Sequence, residues 1–281
     1  MSCVAGTIKD RLLHRMGSRH VAGNSVDDAL QAYEAFQHKG WGLTLSPWKR
    51  PEESPAEICA HYVQCLRRIA HLRLNAQLSI KPRDIAYDMD LLTRILDLAS
   101  EENIMIQFDA QEPNGATLSF ALLERALKLH SEVACTLPAR WGRSRDDAEQ
   151  AIQLGIPVRI VKGQWKAGGR GCSLRRCFRE LVAQLAGRAR KVLIATHDET
   201  LAAETIPVLG NAGTPFELEQ LLGLPLIQVD GMSGQRIPRR VYIPYGFPSL
   251  PYRLRDFKER PAILFWMVRD LVGGNRYKVV V

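Results

Sequence analysis

The stretch with most chemical content is Pro157-Val158-Arg159-Ile160-Val161-Lys162-Gly163, an apolar run that carries two cations. Val158 and Ile160 alternate as in a buried strand, and the two-residue period turns Arg159 to the opposite face, inside whatever the sheet encloses. A guanidinium there is costly without an anionic or electron-rich partner. Two readings stand: a site for a bound anion, phosphate or redox ring, or an internal Arg–carboxylate pair. Further polar residues close other apolar runs, namely Lys81, Asp109, Arg140, Lys162, His197, Gln220 and Tyr245. Lys81 before Pro82 is either an ammonium at a site or a snorkelling surface lysine. Asp109 with Glu112 is either a general-base pair or a helix N-cap. His197 could ligate a metal, but no second histidine or carboxylate sits at a ligand spacing, so no metal site is expected. Gly168 to Gly171 matches no phosphate-binding fingerprint and reads as a connection. Tyr252, Arg255 and Glu259 fall on one helix face, where an aromatic followed by a cation suits gripping a carboxylate.

The elements that must position these residues alternate regularly. Ser25 with Asp27 and Asp28, and Ser54-Pro55-Ala56-Glu57, are helix starts, the second a capping box with proline at N1. Strands are expected at Trp41 to Ser46, Gln77 to Ile80, Ile104 to Phe108, Val133 to Leu137, Val158 to Val161, Val192 to Ala195, Phe216 to Leu221 and Arg240 to Ile243. Helical patterns separate them, and a last helix runs from Tyr252 to Leu271. Between the seventh and eighth strands Pro225, Gly231, Gly234 and Pro238 deny a long helix. Eight βα units imply an α/β fold, a distorted (βα)8 TIM-type barrel with a shortened or missing seventh helix and its site at the strand C-termini. Residues 1–40 form an N-terminal helical segment packing on the barrel, and residues 41–275 the barrel itself.

At 281 residues and 46% apolar composition the chain suits one such barrel. The net charge of +8 is spread from Lys9 to Lys278, which argues against a nucleic-acid groove. Arg170, Arg175, Arg176 and Arg179 read as a solvated helix face. Six cysteines without a CxxC pair, and no long apolar stretch at the N-terminus, point to a reduced, cytoplasmic protein with at most peripheral membrane contact.

Several segments in order at the strand ends resemble the proline dehydrogenase family of flavin-containing (βα)8 barrels. They are Leu78-Ser79-Ile80-Lys81-Pro82, Phe108-Asp109-Ala110, Val158 to Gly163, Ala195-Thr196-His197, Phe216-Glu217 with Gln220-Leu221-Leu222-Gly223, Arg240 to Gly246, and Pro251-Tyr252 with Arg255 and Glu259-Arg260-Pro261. The resemblance covers roughly Arg19 to Val272 and implies a non-covalent FAD that accepts a hydride at N5 from the C–N bond of proline or a related small amine or amino acid. The electrons would pass to a quinone or oxygen. It implies catalytic roles for Arg159, Lys81 and Asp109, and cofactor contacts from Arg159, Lys162, Gly163, Thr196, His197, Asp198, Gln220 and Glu259. The substrate would be held by Tyr242, Tyr252, Arg255, Asp256 and Trp165.

The departures from that pattern cluster at the pocket. Asp256 stands where the family has a second arginine, Gln164-Trp165-Lys166 where it has Ala-Tyr-Trp, Pro138 where it has a flavin-contacting glutamine, Asp198 where it has asparagine, and Gln111 where it has an acid. Loss or reversal of a charge-assisted contact at Asp256 would cost roughly 1.5–3 kcal/mol of proline affinity. These changes motivate an alternative, a degenerate barrel without flavin that acts as a binding protein or runs other chemistry, such as metal or Schiff-base catalysis at His197 or Lys81.

Overall fold

The computed structural model describes residues 20–163, 173–229 and 236–247. Eight strands, β1 (Gly42–Trp48), β2 (Ala76–Ile80), β3 (Ile106–Phe108), β4 (Val133–Pro138), β5 (Val158–Val161), β6 (Val192–Ala195), β7 (Phe216–Leu221) and β8 (Arg239–Gly246), pair in parallel in that order and close into a barrel. The crossovers carry α2 (Pro55–His71), α3 (Met89–Glu101), α4 (Ala116–Leu127), α5 (Ser144–Gln153), α6 (Leu174–Leu185) and α7 (Glu199–Asn211). Ahead of them α1 (Val26–Gln37) lies along β1 and β8. The Ala22 and Gly246 amides donate to the Pro244 and Gly23 carbonyls at its start, and the Tyr33 hydroxyl donates to the Trp41 carbonyl near its end.

Local sequence dictates the helix starts. Ser25 and Ser54 each close a capping box, with Asp28 and Glu57 as the reciprocal partners, and Pro55 fills the position whose missing N–H costs nothing. α2 then buries Ile58, Tyr62, Cys65, Leu66 and Ile69 at helical spacing against the strands. α7 continues through Pro207, which forgoes one backbone hydrogen bond. No helix occurs among the described residues between β7 and β8, where Pro225 and Pro238 lie.

The barrel divides its polarity by the strand period. Leu43, Leu45, Leu78, Ile80, Val158, Ile160, Val241 and Ile243 are fully buried and join the helices in the apolar core. Most of their alternates face the lumen and are polar, among them Thr44, Gln77, Gln107, Thr136, Arg159, Glu219 and Tyr242. Bonds between strands that are not sheet neighbours, such as Thr44 of β1 to Glu219 of β7, can only cross that lumen. At the N-terminal end Glu217 accepts from Arg240 and from Lys191, 2.6 Å each, while Arg240 Nη1 donates to the Leu43 carbonyl. Gly42 makes room for this plug: a Cβ there would stand 2.8 Å from the Arg240 guanidinium carbon.

Arg175, Arg176 and Arg179 form the solvated face of α6, more than half exposed and paired with Asp198, Glu180 and Glu204. Cys59, Cys65 and Cys135 are buried free thiols, whereas Cys177 is disulfide-bonded, against the expectation of a fully reduced chain. No helix among the described residues is long and apolar enough to cross a membrane. Leu66, fully buried between α2 and the barrel wall, tests the packing: Leu66→Ala is expected to cost about 2–5 kcal/mol, read as a lowered midpoint in denaturant unfolding.

Candidate active site

The C-terminal strand ends carry a connected polar group centred on Arg159. Its guanidinium is about one-tenth exposed, and its Nε donates to Glu219 Oε1 and its Nη1 to Asp109 Oδ1 at 3.3 Å. Tyr242 stacks on it, the ring centroid 4.7 Å from the guanidinium carbon. Burial works against the charge, but the Glu219 and Asp109 carboxylates outweigh it and raise the pKa above the ordinary arginine range. Of the two sequence-level alternatives for Arg159, the internal carboxylate pair is present, and its Nη2 makes no hydrogen bond among the described residues.

Asp109 is a lumen carboxylate, not a helix cap. Its backbone N–H extends the pairing to β2 through the Ile80 carbonyl, and α4 begins after a 3-10 turn, Pro113–Gly115, with Gly115 at its N-cap. Besides Arg159, Asp109 Oδ2 lies 3.9 Å from Lys81 Nζ and 3.4 Å from the Tyr242 hydroxyl. Glu112, its supposed partner, instead pairs with Arg83 at the surface, 3.5 Å away. Lys81 does not snorkel: it is 12% exposed, donates to Ser46 Oγ at 2.9 Å and sits 5.7 Å from the Trp48 ring. Its backbone N–H donates to the Tyr62 hydroxyl from behind, which fixes the strand end. Tyr242 donates to Ser46 Oγ at 2.8 Å. Arg159, Lys81, Asp109 and Tyr242 are thus brought to one side of the mouth.

The other side is built from β5, β6 and the turns that follow. Gly163 adopts φ +79°, which L side chains rarely enter, and a Cβ there would stand 2.7 Å from Pro138 Cβ, so only glycine closes this turn. Lys162 pairs with Asp198 at 3.2 Å, and Asp198 also accepts from Arg175 and caps α7 through the Leu201 amide. Against its partial burial, the Leu201 amide and Lys162 hold the Asp198 carboxyl below the usual carboxylate range. Thr196 Oγ1 accepts from the Asp198 amide at 3.1 Å. His197 is engaged at both ring nitrogens: Nε2 accepts from the Leu221 amide at 2.8 Å, so Nδ1 carries the proton and donates to the Pro225 carbonyl at 2.9 Å. Neither nitrogen is left for a metal, and no metal-ligating cluster occurs among the described residues.

Two of the strand-end residues do not reach the lumen. Gln220 alternates with Glu219 and so turns outward, its amide 3.4 Å from His197 Nδ1. Tyr245 likewise points outward, its hydroxyl 3.0 Å from Cys65 Sγ, and burial lifts its pKa. Trp165, Tyr252, Arg255, Asp256 and Glu259 lie outside the described residues. Sequence reading missed Glu219, Thr44, Ser46 and Gln77. The available signal was the period of β7, since Glu217 and Glu219 alternate with Leu218 in an otherwise buried strand.

A closed parallel (βα)8 barrel with an ion-paired polar lumen opening at its strand C-termini defines the class, that of barrel proteins with a site at this face. No family model matches the chain. It is 22% identical to proline dehydrogenase 1 of Bacillus subtilis over 278 residues, which cover 92% of this chain and 91% of the relative. It is 24% identical to proline dehydrogenase of Deinococcus radiodurans, with 92% and 91% covered. Proline utilization A from Bdellovibrio bacteriovorus shares the fold, with a TM-score of 0.73 and 15% identity over 87% of this chain, and the protein from Corynebacterium freiburgense does so at 0.67, 16% and 94%. The chain spans 32% of each of those longer proteins. The similarity to proline dehydrogenases runs along nearly the whole chain.

Burial pushes the His197 pKa down from the usual histidine value, and Lys162 adds to the shift. A base depressed in the fold stabilises it fully above its unfolded pKa of about 6.5, and that part is lost as the pH falls below this value. Melting temperature is therefore expected to drop between pH 7.5 and 5.5, and His197→Asn is expected to flatten the slope.

Proposed function

We propose that the protein is a flavin-dependent dehydrogenase that oxidises the C–N bond of proline or a related small amine or amino acid, with FAD as its cofactor. The observation that carries this reading is Arg159, a buried, charged donor whose Nη2 is unengaged among the described residues while both its carboxylate partners lie in the lumen. This donor set suits an electron-rich ring that gains negative charge. Flavin, when bound, supplies hydride acceptance at N5. Arg159, with Lys162, Gly163, Thr196, His197 and Asp198 beyond it, would hold that group.

Lys81, Asp109 and Tyr242 form the candidate substrate side. An amino acid offers a carboxylate and an amine, and the Lys81 ammonium and Asp109 carboxylate, 3.9 Å apart, answer those charges with opposite signs. Asp109 would orient the amine N–H, and the Tyr242 ring would exclude water above Arg159. Oxidation removes a hydride from carbon and a proton from nitrogen, leaving a C=N bond. The electrons would leave to a quinone or oxygen. Roles for Tyr252, Arg255, Asp256, Trp165 and Glu259 belong to the same proposal, and the outward turn of Gln220 removes it from the cofactor contacts.

One observation favours a second reading, a barrel without flavin that serves as a binding protein. Lys162, offered by resemblance to the cofactor, is already neutralised by Asp198. The two readings separate on the absorbance of the purified protein. Oxidised-flavin bands that bleach anaerobically with proline or another small amine are expected; a colourless protein whose melting temperature does not rise with FAD overturns the enzyme reading. In the flavin-loaded enzyme Arg159→Met is expected to slow substrate-driven bleaching by about 100-fold or more, measured by stopped-flow absorbance.

A further inference from the structure

Glu219 is 1% exposed, in the middle of the lumen, and both its oxygens are committed. Oε1 takes the Nε edge of Arg159, while Oε2 accepts from Thr44 Oγ1 at 2.6 Å, and Thr44 in turn accepts from Gln77 Nε2 at 2.9 Å. The carboxylate cannot rotate without breaking bonds to β1 and β5, with β2 linked behind Thr44. With Nε held by Glu219, Nη1 by Asp109 and one face against Tyr242, the guanidinium keeps a single orientation. An amide at position 219 would supply one acceptor oxygen where the structure uses two.

Charge leads to the same residue. In the upper lumen two cations, Arg159 and Lys81, face two carboxylates, Asp109 and Glu219, so the described set carries no net charge. We propose that Glu219 is a positioning residue that aims Arg159 and cancels part of its charge, making the lumen a directed donor instead of a free cation. A ring that takes on negative charge beside Arg159 is then stabilised less than by an unpaired arginine, and it gives its electrons up more readily. The consequence for electron affinity rests on the flavin reading above; the effect of Glu219 on the availability of the Arg159 charge does not.

The test compares full-length wild type, Glu219→Gln and Glu219→Asp in two measurements. With FAD bound, the midpoint potential by equilibration with reference dyes is expected to rise from wild type through Glu219→Asp to Glu219→Gln. For the last, the equilibrium constant of two-electron reduction should grow about tenfold or more, about 30 mV. Equal potentials in the folded variants overturn the proposal. Without flavin, sulfate titrated at fixed ionic strength is expected to raise the melting temperature of Glu219→Gln more than that of wild type, because the freed cation accepts the anion. Glu219 with only a structural role would lower the melting temperature of both variants and leave the sulfate response unchanged. If wild type takes up no FAD, the flavin reading falls by itself and the sulfate response alone decides the role of Glu219. If Glu219→Gln does not fold, Glu219→Asp carries the same comparisons with a smaller expected shift, and no shift overturns the proposal.

Discussion

A guanidinium cannot be left alone inside a protein, and the architecture of this lumen follows from meeting that demand for Arg159. The desolvation of the cation is offset by Glu219 and Asp109, and each carboxylate then needs partners of its own, which Thr44, Lys81 and Tyr242 provide. Removing one member of such a buried pair leaves an uncompensated charge, a loss of about 3–5 kcal/mol. The polar interior therefore behaves as one unit drawn from β1, β2, β3, β5, β7 and β8.

That unit is possible because the apolar work is done elsewhere. Leucine, isoleucine and valine on the outer faces of the strands pack under the helices, so the barrel wall is stable without an apolar lumen. At the N-terminal end Glu217 is held between Lys191 and Arg240, so the charges there are paired with one another. At the opposite, C-terminal end, among the described residues, Lys162 and Arg175 are answered by Asp198 and Arg159 by Glu219 and Asp109. A ligand at this mouth meets oriented dipoles and paired charges, a setting that rewards shape and hydrogen bonding over bare charge.

Much of this was readable from sequence where the physics is local. The capping boxes at Ser25 and Ser54 and the strand at Val158 to Val161 depend on neighbours a few residues apart, and they appear as expected. The inward turn of Arg159 follows from the strand period alone. Where two local readings competed, distance in the chain decided. Asp109 could have capped a helix, but a 3-10 turn took over that entry and released the carboxylate to Arg159, fifty residues away. His197 kept both nitrogens for the backbone at the end of β7 and just beyond it, which no spacing rule reveals.

By itself the amino-acid order determined the eight strands and the capped helix starts at Ser25 and Ser54, because periodicity and capping act over one or two turns of chain. Only the tertiary structure decided which strand residues meet. Closing the sheet brought Glu219 of the seventh strand to Arg159 of the fifth and Thr44 of the first, and it turned Gln220 and Tyr245 away from the lumen. A buried charge chooses its partner across the enclosed space, and that space exists only once the last strand has paired with the first.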